Sequence, residues 1–248
     1  MPIVLPNAPI TAARNEEMIR QLAQRYPFIR TQMLGRSAFG RPIPALIIGN
    51  GPRKVLYTAA HHANEWITSY LLLQFAEELA EAIETGGRVY GVPAATIGNA
   101  ATIFLVPMVD PDGVDLVTGA IAPGSLEYEI GRQLSAFYPA IPFPDGWKAN
   151  LMGVDLNLNY PAGWLQARQI KFDQGFTRPA PRDYVGRAPL TQLEPRAQRT
   201  ARSRREALVM LRPFLPKYSI SSALRPAFRR PPMTAMVAGT APLRSWRG

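Results

Sequence analysis

The stretch from Lys54 to Thr85 constrains this chain more than any other. Residues 54 to 60, Lys-Val-Leu-Tyr-Thr-Ala-Ala, are mostly apolar and partly β-branched, as a buried strand requires. From Ile67 the apolar residues recur at every fourth position, Ile67, Leu71, Phe75, Leu79 and Ile83, with Glu77, Glu78, Glu81 and Glu84 between them. That pattern predicts an amphipathic helix with its apolar row turned inward. A strand that runs straight into a helix puts its junction at the carboxyl end of the strand, where α/β sheets build their sites. The two histidines of the chain, His61 and His62, stand at this junction, and Glu65 follows His62 by three residues. A neutral imidazole and a carboxylate at that spacing can meet one tetrahedral cation. The purely structural alternative makes Asn64 a helix N-cap and Glu65 a first-turn carboxylate favoured by the helix dipole. His61 is a poor further ligand, because successive side chains on a strand point to opposite faces.

A chain of 248 residues, 47% of them hydrophobic, is long enough for one substantial α/β core. No stretch approaches the roughly 20 apolar residues that span a bilayer, and Met1-Pro-Ile-Val-Leu-Pro-Asn lacks the basic start and apolar length of a secretory signal. A cytoplasmic location is therefore the default expectation. The absence of cysteine excludes disulfides and thiolate-bound metals.

The net charge of +10 looks like a nucleic-acid signal until it is located. Residues 188 to 248 hold twelve basic and two acidic side chains, 12 − 2 = +10, so residues 1 to 187 are neutral. Within the neutral part, Thr11 to Tyr26 reads as a helix, Phe28 to Leu34 and Ile43 to Ile48 as strands, and Gly86-Gly87 as the end of the long helix. A further strand, Ala101 to Met108, stops at Asp110-Pro-Asp-Gly113, which reads as a turn. Strands alternating with helices indicate a mixed, mostly parallel α/β sheet with helices on both faces.

The segment Gly146 to Pro161, Gly-Trp-Lys-Ala-Asn-Leu-Met-Gly-Val-Asp-Leu-Asn-Leu-Asn-Tyr-Pro, alternates polar and apolar residues as neither a helix nor a half-buried strand would. Its Asx side chains either satisfy their own backbone, as in many loops, or face one cavity together.

The order of these segments resembles the zinc carboxypeptidases of the carboxypeptidase A type. His62-x-x-Glu65 after a strand, then Val-Pro-Met-x-x-Pro-Asp-Gly-Val, then Gly-Val-Asp155-Leu-Asn157-Leu-Asn159-Tyr-Pro follow that family's sequence. The wording around residues 153 to 164 and 176 to 186 is similar to the bacterial γ-D-glutamyl-diamino-acid (diaminopimelate) peptidases, which cut cell-wall peptides. The resemblance implies one zinc ion held by His62 and Glu65, with Asp155 orienting His62. It makes Asn157 and Asn159 substrate-binding residues, and Lys148 takes the place of an arginine that polarises the scissile carbonyl. A lysine supplies that charge without the planar fork of arginine. Leu158 replaces the arginine that clamps a free C-terminal carboxylate, which argues against an ordinary exopeptidase.

Two family parts are missing. The third zinc ligand should be a histidine well downstream of Asn159, and none follows His62; no glutamate strand that could supply the general base is found after it. The sequence thus reads as residues 1–192 of a zinc carboxypeptidase-like catalytic domain, incomplete at its C-terminal side, followed by a basic Arg/Pro/Ala-rich tail, 193–248, outside the fold. The tail can be a nucleic-acid arm, a solvated extension, or the product of a reading-frame change, which the abrupt shift in composition favours. The expected activity is zinc-dependent peptide hydrolysis, impaired by the incomplete ligand set, with a non-catalytic binder of peptidoglycan fragments or nucleic acid as the alternative.

Overall fold

The computed structural model describes residues 1–201 and 207–210. Helix α1 (Ala12–Arg25) starts where expected, because the Thr11 side chain accepts the Arg14 N–H at 3.2 Å, and it buries Met18, Ile19 and Leu22. Strands β1 (Arg30–Arg36) and β2 (Pro42–Ile48) form an antiparallel hairpin. Strand β3 (Arg53–Thr58) leads through a 3₁₀ turn, Ala63–Glu65, into helix α2 (Ile67–Glu84). A two-residue hairpin follows, β4 (Arg88–Val89) with β5 (Val92–Pro93). The chain then forms α3 (Ala94–Ala100), β6 (Ala101–Val106), α4 (Pro111–Val117), α5 (Leu126–Ser135), α6 (Trp164–Asp173), α7 (Leu193–Ala201) and β7 (Ala207–Met210).

The main sheet has the order β1-β2-β6-β3-β7. It is mixed: β1/β2 and β2/β6 are antiparallel, whereas β6/β3 and β3/β7 are parallel. The parallel β3/β6 pair needs a crossover, and α2 with α3 supplies it. Strand β2 is buried from Ile43 to Ile48, and its side chains divide between the two faces with a period of two. Leu46 and Ile48 join the core beneath α1 and α2. Ile43, Ala45 and Ile47 join Leu56, Phe104 and Val106 on the other face, where Leu156 and Ala197 cover them. Each fully buried leucine or isoleucine among them contributes about 1.5–3 kcal/mol relative to exposure.

Three elements differ from the sequence expectation. The inward face of α2 is not the four-residue row, because each step of four overshoots a full turn by about 40° and the row winds away from the sheet. Ile67 and Leu71 are exposed, whereas Tyr70, Leu72, Leu73, Ala76, Leu79 and Ala80 are buried. Glu77 is also buried, since its carboxylate accepts the Ile3 and Val4 N–H groups at 2.6 and 2.9 Å. Asp110-Pro-Asp-Gly113 is the start of α4 rather than a free turn: Asp110 is the N-cap, its side chain accepts the Gly113 N–H, and Pro111 takes the first helical position. Finally, the packed structure does not stop at 192. Helix α7 lies against β1, with Glu194 and Ala197 buried, and β7 pairs with β3. Gly35 in β1 allows this approach, because a Cβ there would come within 2.9 Å of the Ala197 Cβ. Apart from these positions, the basic tail lies outside the described residues.

Candidate metal centre

The histidine turn is held from several directions. Past Thr58 the chain bends sharply at Ala60, whose φ of +46° is an uncommon backbone conformation for a residue with a Cβ. The bend is fixed by its hydrogen bonds: the Asp110 N–H donates to the Ala60 carbonyl at 2.9 Å, the Ala60 N–H to Thr68 Oγ1 at 2.9 Å, and Thr68 Oγ1 to the Glu65 carbonyl at 2.8 Å. The Ala63 N–H donates to the Lys148 carbonyl at 3.2 Å, which joins the turn to the 147–150 loop. Asn64 is an exposed residue inside the 3₁₀ turn and not its cap; His62 takes that position.

His62 is buried between two carboxylates. Its Nε2 lies 3.1 Å from Asp155 Oδ1, and its Nδ1 lies 3.0 Å from Glu65 Oε1. The two contacts are of different kinds. The first is a hydrogen bond that fixes the ring, whereas Nδ1, buried and close to Glu65, has no hydrogen bond of acceptable geometry. A buried imidazole thus has a carboxylate beside each ring nitrogen, and a carboxylate that braces one nitrogen is an arrangement that metal-binding histidines share. Burial disfavours a charged imidazolium, but the Asp155 hydrogen bond and the nearby Glu65 carboxylate outweigh it and raise His62 to about 9. Asp155 is buried too, which raises its pKa, yet His62 and then the charge of Lys148 hold it below the usual carboxylate range.

Asp155 is itself braced by a segment to which the sequence reading assigned no role. Its N–H donates to the Tyr184 carbonyl at 2.8 Å, and its Oδ2 accepts the Asp183 N–H at 3.4 Å. Asp183 in turn is paired with Lys171 at 2.7 Å and Arg182 at 2.6 Å. In the sequence this brace is marked only by Pro181-Arg-Asp-Tyr-Val-Gly186, part of the segment that carries the family resemblance.

The other expected site residues divide. Lys148 is half-buried beside the histidine turn, and its charge bears on Asp155. Asn157 is half-buried in the 3₁₀ turn Leu156–Leu158, directly after Asp155. Asn159 is turned inward instead of to a ligand. It is fully buried, its Nδ2 donates to the Val185 and Ala188 carbonyls and to Thr191 Oγ1 at 2.9–3.0 Å, and its Oδ1 accepts from Gln192 N at 3.2 Å. Its side chain pins the 185–192 segment and has no capacity left for substrate. His61 lies with its Nε2 3.2 Å from the Tyr160 hydroxyl.

The donor set fits a zinc ion in part. His62 Nδ1 and Glu65 supply two ligands of the kinds zinc takes, and no group of three or more metal-binding side chains is found among the described residues. No catalytic step can be derived through an ion held by this pair alone.

His62 and Glu65 thus lie together past the carboxyl end of β3, where the strand gives way to α2. The chain belongs to the zinc carboxypeptidase family, whose model matches residues 15–212. It is 38% identical over 176 residues to the γ-D-glutamyl-L-diamino acid endopeptidase 1 of Lysinibacillus sphaericus, which covers 71% of this chain and 43% of that protein. The solved structure of bovine thrombin-activatable fibrinolysis inhibitor in complex with tick carboxypeptidase inhibitor matches with a TM-score of 0.56 at 16% identity, covering 81% of this chain and 59% of that one. The carboxypeptidase A of Helicoverpa armigera matches with a TM-score of 0.54 at 20% identity, over 77% of this chain and 42% of that one. The chain spans less than half the length of the first two curated relatives it matches.

Proposed function

We propose that the chain carries the metal-binding part of a zinc-dependent peptidase whose substrates are peptides with γ-D-glutamyl-diaminopimelate bonds, the class found in peptidoglycan. The observation that carries this reading is the His62 ring, braced by Asp155 at Nε2 with its Nδ1 3.0 Å from Glu65 Oε1. The similarity to a γ-D-glutamyl-L-diamino acid endopeptidase over 71% of the chain supports the substrate class. In this reading His62 and Glu65 hold one zinc ion and Asp155 keeps the imidazole in the ligating tautomer. A zinc ion bound there would polarise a peptide carbonyl and lower the pKa of its water. Lys148 places a positive charge beside that carbonyl, and Asn157 meets the substrate's terminal group. Leu158, an apolar side chain where a carboxylate clamp would need arginine, suits a peptide whose end near the site is not a free carboxylate.

Activity in this chain is impaired in the same reading, because the histidines are confined to positions 61 and 62 and no third metal ligand joins His62 and Glu65 among the described residues. That shortfall favours a second reading, a binder of peptidoglycan fragments without turnover. The nucleic-acid alternative has only the basic tail behind it. Incubating the protein with a γ-D-glutamyl-diaminopimelate peptide, with and without added zinc, separates the outcomes by mass spectrometry and calorimetry. Zinc-dependent cleavage that Glu65→Gln abolishes supports the peptidase, and binding without cleavage supports the binder. Neither binding nor cleavage overturns both.

A further inference from the structure

The carboxylate that braces His62 is itself held through both of its oxygens. Asp155 Oδ1 lies 3.1 Å from His62 Nε2, and Oδ2 accepts the Asp183 N–H at 3.4 Å. The terminal torsion of an aspartate is broad, so a bond on Oδ1 alone leaves the carboxylate plane free to swing; the contact on Oδ2 removes that freedom. At 3.4 Å the second bond is long, and a small displacement of residue 183 breaks it. The position of the Asp183 backbone therefore decides how well Asp155 is aimed at the ring.

That backbone is in an uncommon conformation. Asp183 has a φ of +68°, in the left-handed region, which a residue with a side chain keeps only where its surroundings fix it. Its own carboxylate supplies the fixing: Oδ1 is paired with Lys171 Nζ of α6 at 2.7 Å and Oδ2 with Arg182 Nε at 2.6 Å. The Lys171 and Asp183 side chains are mostly shielded from water, so their attraction is screened less than that of a surface pair. Burial would raise the Asp183 carboxyl, yet Lys171 and Arg182 hold it below the usual carboxylate range, so it is charged at neutral pH. The end of α6 is anchored in turn, because Phe172 and Phe176 pack with Tyr138 against the buried Val154, Ala180 and Tyr184. From this anchor the 180–184 segment meets the site loop at three further points. The Pro181 carbonyl accepts the Lys148 and Ala149 N–H groups, each at 2.8 Å, the Ala180 N–H donates to the Gly153 carbonyl at 3.0 Å, and the Asp155 N–H donates to the Tyr184 carbonyl at 2.8 Å.

We propose that Asp183 is a positioning residue of the candidate centre: its carboxylate, clamped by Lys171 and Arg182, holds the 180–184 segment in the conformation that presents the Asp183 N–H to Asp155 and so fixes the His62 ring. This role deepens the metal reading of His62 and rests on it for its bearing on zinc. The same segment seats the backbone of Lys148. One ion pair between α6 and residue 183 thus sets two of the residues expected at the site, without touching a ligand itself.

The test uses the full chain, isotope-labelled and metal-free, at neutral pH. The His62 Nε2 proton, protected by its bond to Asp155, should give a slowly exchanging ring N–H resonance, assigned by its survival in His61→Gln. Asp183→Asn keeps a residue tolerated in the left-handed region and removes the charge. In that variant and in Lys171→Met the ring proton should exchange with water several-fold faster, whereas Lys171→Arg should keep the wild-type rate. Zinc affinity, measured by calorimetry, should fall by about tenfold in the same two variants, the lower end of what the loss of an outer partner costs a metal site. An ion pair with a merely structural role would lower the melting temperature and leave the exchange of the ring proton unchanged. That outcome, or equal acceleration in Lys171→Arg and Lys171→Met, would overturn the proposal. Should Asp183→Asn fail to fold, the two Lys171 variants decide. Absence of zinc binding in the wild type would remove the metal reading alone, and the ring proton would still decide the role of Asp183.

Discussion

His62 faces opposed demands from its two nitrogens. Nε2 gains from a proton donated to Asp155, while Nδ1 must give up its proton before it can bind a metal. Without metal, the neighbouring carboxylates raise the ring from 6.5 to about 9. The folded-state value exceeds the unfolded one, so this contribution to stability is complete below about pH 6.5 and is lost as pH rises through about 9. Zinc therefore competes with a proton, and its apparent affinity should strengthen with pH over the same window. In the metal-free protein the His62 ring resonances should titrate with a midpoint near 9; in Asp155→Asn the midpoint should fall, and zinc affinity should drop about 10–100-fold. A midpoint of 6.5 in both proteins would show that Asp155 does not brace the ring. The closeness of His62 and Glu65 was legible in the sequence because a strand-to-helix junction fixes three-residue neighbours in space. Asn159 was misread because an Asx side chain chooses between backbone and cavity according to partners far along the chain, here Val185 to Gln192.

Among the elements, strands β1, β2, β3 and β6 and the first two helices could be placed from pattern alone, and the misreadings have local causes. The four-residue row on α2 was apolar enough to suggest a face but has the wrong period for a straight helix. Asp-Pro-Asp-Gly fits a turn and a helix start equally well, and the packing of Gly113 on Ala63 and Ala149 decides between them. Helix α7 went unrecognised because its sequence is mostly polar, and its docking depends on a contact that only the fold creates, Gly35 against Ala197. Gly35→Ala should accordingly destabilise the protein by about 1–3 kcal/mol. In a denaturant melt, combining it with Ala197→Gly should recover most of that loss. If the double variant is no more stable than Gly35→Ala alone, α7 does not pack on β1 at this point.

For the molecule as a whole, fold class and family could be read from the sequence because a few motifs occur in a fixed order, and the α/β sheet then brings two of them together. Strand β3 delivers His62 and Glu65, and the loop after residue 146 returns Asp155 to the opposite side of the ring. What the linear sequence could not display is the bracing by residues 181 to 185 and the extension of packed structure past 192, both of which depend on long-range contacts. No described helix is long and apolar enough to cross a membrane. The most direct test of the account is zinc titration by calorimetry on the wild type and on single alanine variants of His61, His62 and Glu65. One zinc per chain should bind, more weakly than at a three-ligand site, and this binding should be lost in His62→Ala and Glu65→Ala and retained in His61→Ala. Zinc binding that survives both His62→Ala and Glu65→Ala, or that disappears with His61→Ala, would contradict it.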